Sequence, residues 1–272
     1  MQAVLGIAVS DAALLRAFAE AHPRQLDVLG ASGASSGTWG LGFHAHGEML
    51  IKKGPMSRGT VIGRHLKDIR ARHVVLVADG DSESRHLEER CPLRYRDWLF
   101  AMTGGGSLGP DFGKKVQTEL PTYAFSQKRH PTAEEAVMMV IMDALERQNA
   151  RDTRDLTTRA IQRAIGQAAE RLRRLAPAPE AVVVLHVPGH LFAFGVGRPL
   201  WLSRFKGAGE QRGRGTPNLG IEPARPGRVG RNDHLRAVLV ADHQSDGGAW
   251  EEVASTLAVE VDAACDVQPF PI

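Results

Sequence analysis

Two helical segments follow each other between residues 133 and 175, and on either side of them the chain breaks into short apolar runs punctuated by Gly, Pro and Asp. This order of strands, a helix pair and strands again constrains the fold most. It rules out a helical bundle, and it lacks the strand–helix alternation from which parallel sheets are built. In PTAEEAVMMVIMDALERQ, the residues Val137, Val140, Ile141, Ala144 and Leu145 fall on one stripe, and Thr132 with Glu135 forms a T-x-x-E capping box. In TRDLTTRAIQRAIGQAAERLRRL, the residues Ile161, Ile165, Ala168 and Leu172 share a face, and the helix is expected to close before Pro177. Both are read as amphipathic helices lying together in one outer layer on a sheet.

Before them, QAVLGIAV (residues 2–9) reads as a strand buried at the centre of a sheet, with Trp39 and Trp98 packed near it, and LLRAFAEA as a short helix. TWGLGFHAHGEMLIKKG alternates as a hairpin with His46-Gly47 near its tip, and HVVLVAD and YRDWLFAMT read as two further strands. After the helix pair come EAVVVLHV, HLFAFGV, PLWLSRF, LRAVLVAD and LAVEVDA. The reading is an α+β fold, a single domain over residues 1–272, with no internal repeat.

With 43% apolar and 24% charged residues, the chain can bury a full core, which excludes a disordered or fibrous protein. The N-terminus carries no basic leader, and Asp11 interrupts its apolar run, so neither a signal peptide nor a membrane span is expected and the location is read as cytoplasmic. Cys91 and Cys265 make no metal spacing and no disulfide framework, which agrees with a reducing compartment. The net charge of +3 is unevenly placed. From Lys206 to Asn232 the cations Lys206, Arg212, Arg214, Arg225, Arg228 and Arg231 are interleaved with Gly and Pro, which reads as a basic surface loop. A nucleic-acid arm is the alternative, weakened because no aromatic residue is present for base stacking.

Several patterns invite a chemical reading. Gly104-x-Gly106-x-x-Gly109 matches the spacing of a dinucleotide loop, but Pro110, Gly113 and Lys114-Lys115 follow with no apolar helical period, so a strand-ending turn is expected instead. Cys91 lies between Arg90 and Arg94, whose charges would lower a thiol pKa, yet an internal cysteine lacks an adjacent base. His44-x-His46 would present two imidazoles from one strand face, and His186 and His190 are four apart around Pro188-Gly189, but no third zinc ligand emerges. Asp79, Asp81 and Glu83 resemble the opening of a calcium loop, yet its sixth position is Ser84 and its twelfth Arg90, so a solvated acidic turn is expected. No metal and no cofactor are expected.

Together with the element order, TWGLGF, YRDWLFAMTGG, HPTAEEAVMMVIMDAL and the C-terminal stretch from LRAVLVAD onward resemble the class II glutamine amidotransferase family. Its members are N-terminal-nucleophile hydrolases that free ammonia from glutamine. The resemblance covers nearly the whole chain and implies a four-layer αββα sandwich. It also implies a departure at each working position. The nucleophile, a cysteine at the second residue, is replaced by Gln2, and Met1 is expected to stay on because its removal requires a small neighbour. The His-x-Arg that grips the substrate carboxylate falls on Asp79-Gly80-Asp81, so Asp81 would replace an attraction by a repulsion of about 4 kcal/mol at close range. The Asn-Gly oxyanion pair falls on Thr103-Gly104, and Ala133 stands where an aspartate holds the substrate ammonium. Trp39 and Gly40 fall beside the same pocket.

The expectation is therefore a degenerate amidotransferase-like protein that binds a protein partner, or a small ligand in the old pocket. The alternatives are an amide hydrolase with another nucleophile, or a nucleic-acid-associated module.

Overall fold

A computed structural model describes residues 2–26, 36–57, 62–79, 87–121, 132–148, 156–206, 236–245 and 249–272. One sheet holds seven strands in the spatial order Glu251–Val253 (β11), Leu200–Lys206 (β9), Arg236–Ala241 (β10), Gln2–Val9 (β1), His73–Asp79 (β4), Ser36–Ala45 (β2) and Glu48–Ser57 (β3). The other holds six, in the order Val267–Pro271 (β13), Leu257–Asp262 (β12), His190–Val196 (β8), Ala181–Val187 (β7), Trp98–Thr103 (β6) and Leu93–Tyr95 (β5). All neighbouring strands pair antiparallel.

The first strand is the middle of its sheet, as its unbroken apolar run predicts. Side chains alternate across a strand, so β1 serves two cores at once. Val4 and Ala8 join the core between the sheets, while Leu5, Ile7 and Val9 join an outer core with Leu15 and Phe18 of Leu14–Ala21 (α1). A Cβ on Gly6 would lie 2.9 Å from Leu191 and 3.1 Å from Val184, which shows how closely the two sheets meet. Phe18 closes the outer layer edge-on against Phe205, with ring centroids 5.1 Å apart. A single turn, Pro23–Leu26 (α2), extends that layer.

Phe112–Glu119 (α3), Ala133–Glu146 (α4) and Thr158–Leu175 (α5) cover the outside of the six-stranded sheet. Helices, sheet, sheet and helices make the αββα sandwich. Thr132 and Thr157 cap the two long helices, accepting from Glu135 N at 3.1 Å and Ala160 N at 3.3 Å. No described helix is long and apolar enough to cross a membrane.

Three expectations need correction, and two short strands are added. YRDWLFAMT is two strands, β5 and β6, joined through Arg96-Asp97, where Arg96 has φ 53°. A helix does follow the glycine loop, because Phe112, Val116 and Leu120 give one buried stripe that the lysines between them obscure. The long helix α4 is buried on every side from Glu134 to Leu145 and is not amphipathic, since it packs against β6, α3 and α5 together. The short strands β11 and β13 have no period of their own and form only by pairing with β9 and β12. The segment beyond Lys206 expected as a basic loop lies outside the described residues, apart from Lys206 itself, which ends β9.

Candidate functional site

The register of three strands places Gln2 opposite Asp79 and Asp79 opposite Thr38, all near one end of the seven-stranded sheet. The six-stranded sheet answers with the end of β6. There Gly104 adopts φ 83°, and a Cβ at this position would lie 1.8 Å from the Glu180 carbonyl oxygen. Only glycine fits both the dihedral and the space. The turn over Gly105–Leu108 is closed by Ser107, whose N–H and hydroxyl both donate to Gly104 O, at 3.0 and 2.7 Å. Ser107 Oγ in turn accepts from Glu180 N at 2.8 Å.

This architecture leaves the Gly104 N–H aimed across the gap between the sheets, where it donates to Gln2 Oε1 at 3.2 Å. The other end of the same amide, Gln2 Nε2, donates to Asp79 Oδ2 at 3.4 Å. The glycine loop therefore holds a side chain of its own protein. Asp79 is engaged a second time by Arg90, in an ion pair whose side chains are 11% (Arg90) and 8% (Asp79) exposed. A buried pair of this kind is stable only while both partners remain. Lys53 secures the segment carrying Arg90 by donating from Nζ to the carbonyls of Glu88 and Arg90. Burial lowers its pKa, against the charges of Cys91 and Glu88.

Gln2, Thr38, Val77, Asp79, Arg90, Cys91, Met102 and Glu134 enclose a cavity of about 10 Å³. That is room for roughly one water molecule, far below the roughly 300 Å³ of ordinary ligand pockets. The cysteine in its wall is inert. Burial, with the charge of Glu134 adding to it, pushes the Cys91 thiol far above its usual range, so no thiolate is present at neutral pH. The expected lowering by neighbouring arginines is absent because Arg90 serves Asp79, and Arg94 donates to the carbonyls of Arg96 and Met49.

The other positions singled out in the sequence divide between this cavity and other places. Thr103 is 1% exposed, and its hydroxyl has no partner among the described residues, so the backbone of Gly104 alone reaches Gln2. Ala133 is half-buried at the start of α4, with its Cβ 3.6 Å from where a Cβ of Gly105 would stand, and the neighbouring Glu134 lines the cavity. Gly40 lets the Cys91-Pro92 segment cross β2, since a Cβ there would lie 2.4 Å from the Cys91 carbonyl. Trp39 faces the opposite way, into the outer core, stacked on His65 with centroids 4.2 Å apart. Its pairing with Ala78, one residue out of phase with Asp79, forces that direction. Asp81 and Glu83 lie outside the described residues.

In the sequence Arg90 reads as a charge beside Cys91, and neither Glu134 nor Thr38 reads as a site residue, although Thr38 is a polar residue two positions from Gly40 on the same strand face.

The described histidines are arranged otherwise than a metal centre needs. His46 occupies the hairpin turn with φ 54° instead of sharing a strand face with His44, and no group of three or more candidate ligands occurs among the described residues. His73 of β4 and His186 of β7 instead meet across the two sheets, with ring centroids 5.2 Å apart. Burial lowers both pKa values, that of His73 to about 4.

No protein-family model matches the sequence, and no curated protein is matched by it. Solved structures do match. A glutamine aminotransferase class-II domain protein from Silicibacter pomeroyi aligns over 99% of this chain and 99% of its own, at 13% identity and a TM-score of 0.55. A predicted glutamine amidotransferase from Pseudomonas aeruginosa aligns over 97% of this chain and 98% of its own, at 14% identity and a TM-score of 0.51. The glutamine phosphoribosylpyrophosphate amidotransferase of B. subtilis is covered over 49% of its length by 99% of this chain, at 12% identity and a TM-score of 0.54. The chain thus has the fold of class II glutamine amidotransferase domains, the N-terminal-nucleophile hydrolase sandwich that its sequence resembles.

Proposed function

We propose that this protein is a catalytically degenerate class II amidotransferase-like protein that acts by binding a protein partner and does not hydrolyse glutamine. One observation carries the reading. The backbone N–H on the loop that the family resemblance assigns to oxyanion binding is taken by the Gln2 side-chain amide, an internal stand-in for a substrate amide. Gln2 has no nucleophilic atom, and it stands at the start of the central strand where the resemblance requires the attacking thiol. The Asp79–Arg90 pair fills the space beside it, leaving a cavity of about 10 Å³. A cavity of that size supports binding at an outer surface over a small ligand held in the old pocket.

The test is to incubate the protein with L-glutamine and follow glutamate, and in parallel to expose it to a diazo-ketone analogue of glutamine and record its intact mass. No glutamate and no mass gain are expected. The Gln2→Cys protein, with Met1 removed, is expected to stay inactive, because restoring one part of a strongly non-additive machinery recovers little. Thr103 would still offer no carboxamide donor, and Asp79 and Arg90 would still occupy the cavity. Steady glutamate release from the natural sequence would establish a hydrolase and overturn the proposal.

A further inference from the structure

A second cleft, of about 370 Å³, lies on the helical layer between α4 and α5, towards the far end of α4 from Gln2. Val140, Ala144 and Ala168 lie buried beneath it, and three arginines, Arg147, Arg171 and Arg174, stand around it with Gln148 and Gln167. Their positions are set from behind. Asp143, whose side chain is wholly buried, accepts through one oxygen from Arg147 Nε at 2.9 Å and from Arg171 Nη1 at 2.6 Å. Glu119 of α3 accepts from Arg174 Nη2 at 2.7 Å and lies 3.4 Å from Arg171 Nε.

These contacts use one nitrogen each of Arg147 and Arg174 and two of Arg171. Both Nη atoms of Arg147, Nη2 of Arg171, and Nε and Nη1 of Arg174 have no hydrogen bond to the protein among the described residues. Burying a carboxylate in the last turn of a helix is costly, and an apolar residue there would often serve stability as well. What Asp143 does achieve is to orient two guanidiniums, the kind of support that a preorganised anion site requires.

We propose that this cleft binds a small organic phosphate monoester, with Arg147, Arg171 and Arg174 contacting the phosphoryl group and Gln148 and Gln167 lying beside its polar organic part. The choice of phosphate follows from geometry. Three guanidiniums offer more donors than the two oxygens of a carboxylate accept, whereas a phosphoryl group presents three terminal oxygens suited to planar, paired donation. The volume lies within the range of small-molecule pockets and exceeds what an inorganic ion fills. Glu170 on the rim sets a limit of its own, because it disfavours a second anionic group on that side.

The probe is inorganic phosphate, titrated calorimetrically into the full chain against chloride at matched ionic strength. The natural protein is expected to bind it in the millimolar range or tighter. The double variant Arg147→Ala, Arg174→Ala is expected to lose on the order of tenfold or more in affinity. These two side chains are 53% and 64% exposed, and Arg171 continues to pair Asp143 and Glu119, so the fold persists and circular dichroism verifies it. Absence of binding to the natural protein at millimolar phosphate overturns the proposal. So does unchanged affinity in the double variant, which would mark an adventitious ion only.

Discussion

Alanine at Gly104 is expected to cost about 3–5 kcal/mol of folding stability, the sum of left-handed backbone strain and a methyl group driven into a carbonyl. The dihedral of 83° alone accounts for roughly 1–2 kcal/mol. The remainder comes from the 1.8 Å approach to Glu180 O, where the obstacle is backbone and cannot rotate aside. A loss of this size is a large part of the roughly 5–15 kcal/mol that holds a domain together. Two neighbouring glycines separate the contributions. Gly109 has φ 86° with ψ 159°, a region essentially confined to glycine, and open space around it, so Gly109→Ala is expected to show backbone strain of about 1–3 kcal/mol without a clash. Gly106 has neither a positive φ nor an atom within 4 Å, so Gly106→Ala is expected to be neutral or to stabilise by about 0.5 kcal/mol. Denaturant unfolding of the three variants checks the order. Equal losses at positions 104 and 106 would show that the loop is not braced against Glu180. The Gln2 amide would also lose its donor in Gly104→Ala if the loop withdrew, which joins this stability test to the proposed site.

The second expected result is a steep loss of stability in mild acid. His73 and His186 lie neutral between the sheets, and His73 Nε2 and His186 Nδ1 are buried without a partner among the described residues. Burial is the main cause of their lowered pKa values. Around His73, His190 and Arg72 add to the lowering while Asp262 opposes it; around His186, His73, His44 and His190 all act in the lowering direction. The unfolded chain takes up protons on these rings near pH 6.5, while folded His73 resists until about pH 4. Between those values the unfolded state holds more protons, so stability falls as pH falls, and above pH 6.5 it is level. For His73 the loss reaches about 2 kcal/mol by pH 5, above the range where ordinary carboxylates titrate, and His186 adds to it in the same direction. Unfolding curves at pH 7, 6 and 5 test this, with the His73→Gln, His186→Gln double variant expected to flatten the profile. A natural protein equally stable at pH 7 and pH 5 would show that these rings are not held neutral by the fold.

Local signals were enough to determine much of this architecture. The unbroken run QAVLGIAV determined a strand buried on both faces, HVVLVAD another, and His46-Gly47 the tip of a hairpin, where positive φ at both residues matches strand twist. Thr132 determined where α4 begins and Pro177 where α5 must have ended, because caps and breakers act over a single turn. Gln2, Thr103, Gly104 and Ala133 were legible through the family resemblance, and they lie at or beside one junction of the two sheets.

Tertiary structure decided the rest. Trp39 turned outward because alternation along a strand covered on both sides does not say which face meets which layer, and only pairing with Ala78 fixes it. The stripe read on α4 missed that a third helix and a sheet enclose it, since periodicity describes one helix and not its neighbours. Gln2 meets Gly104 across 102 positions, Asp79 meets Arg90, Asp143 meets Arg171 across 28, and His73 meets His186 between the sheets. A local pattern records the propensity of a segment, whereas contacts between distant residues depend on strand order and register, which are set by the packing of the whole sandwich.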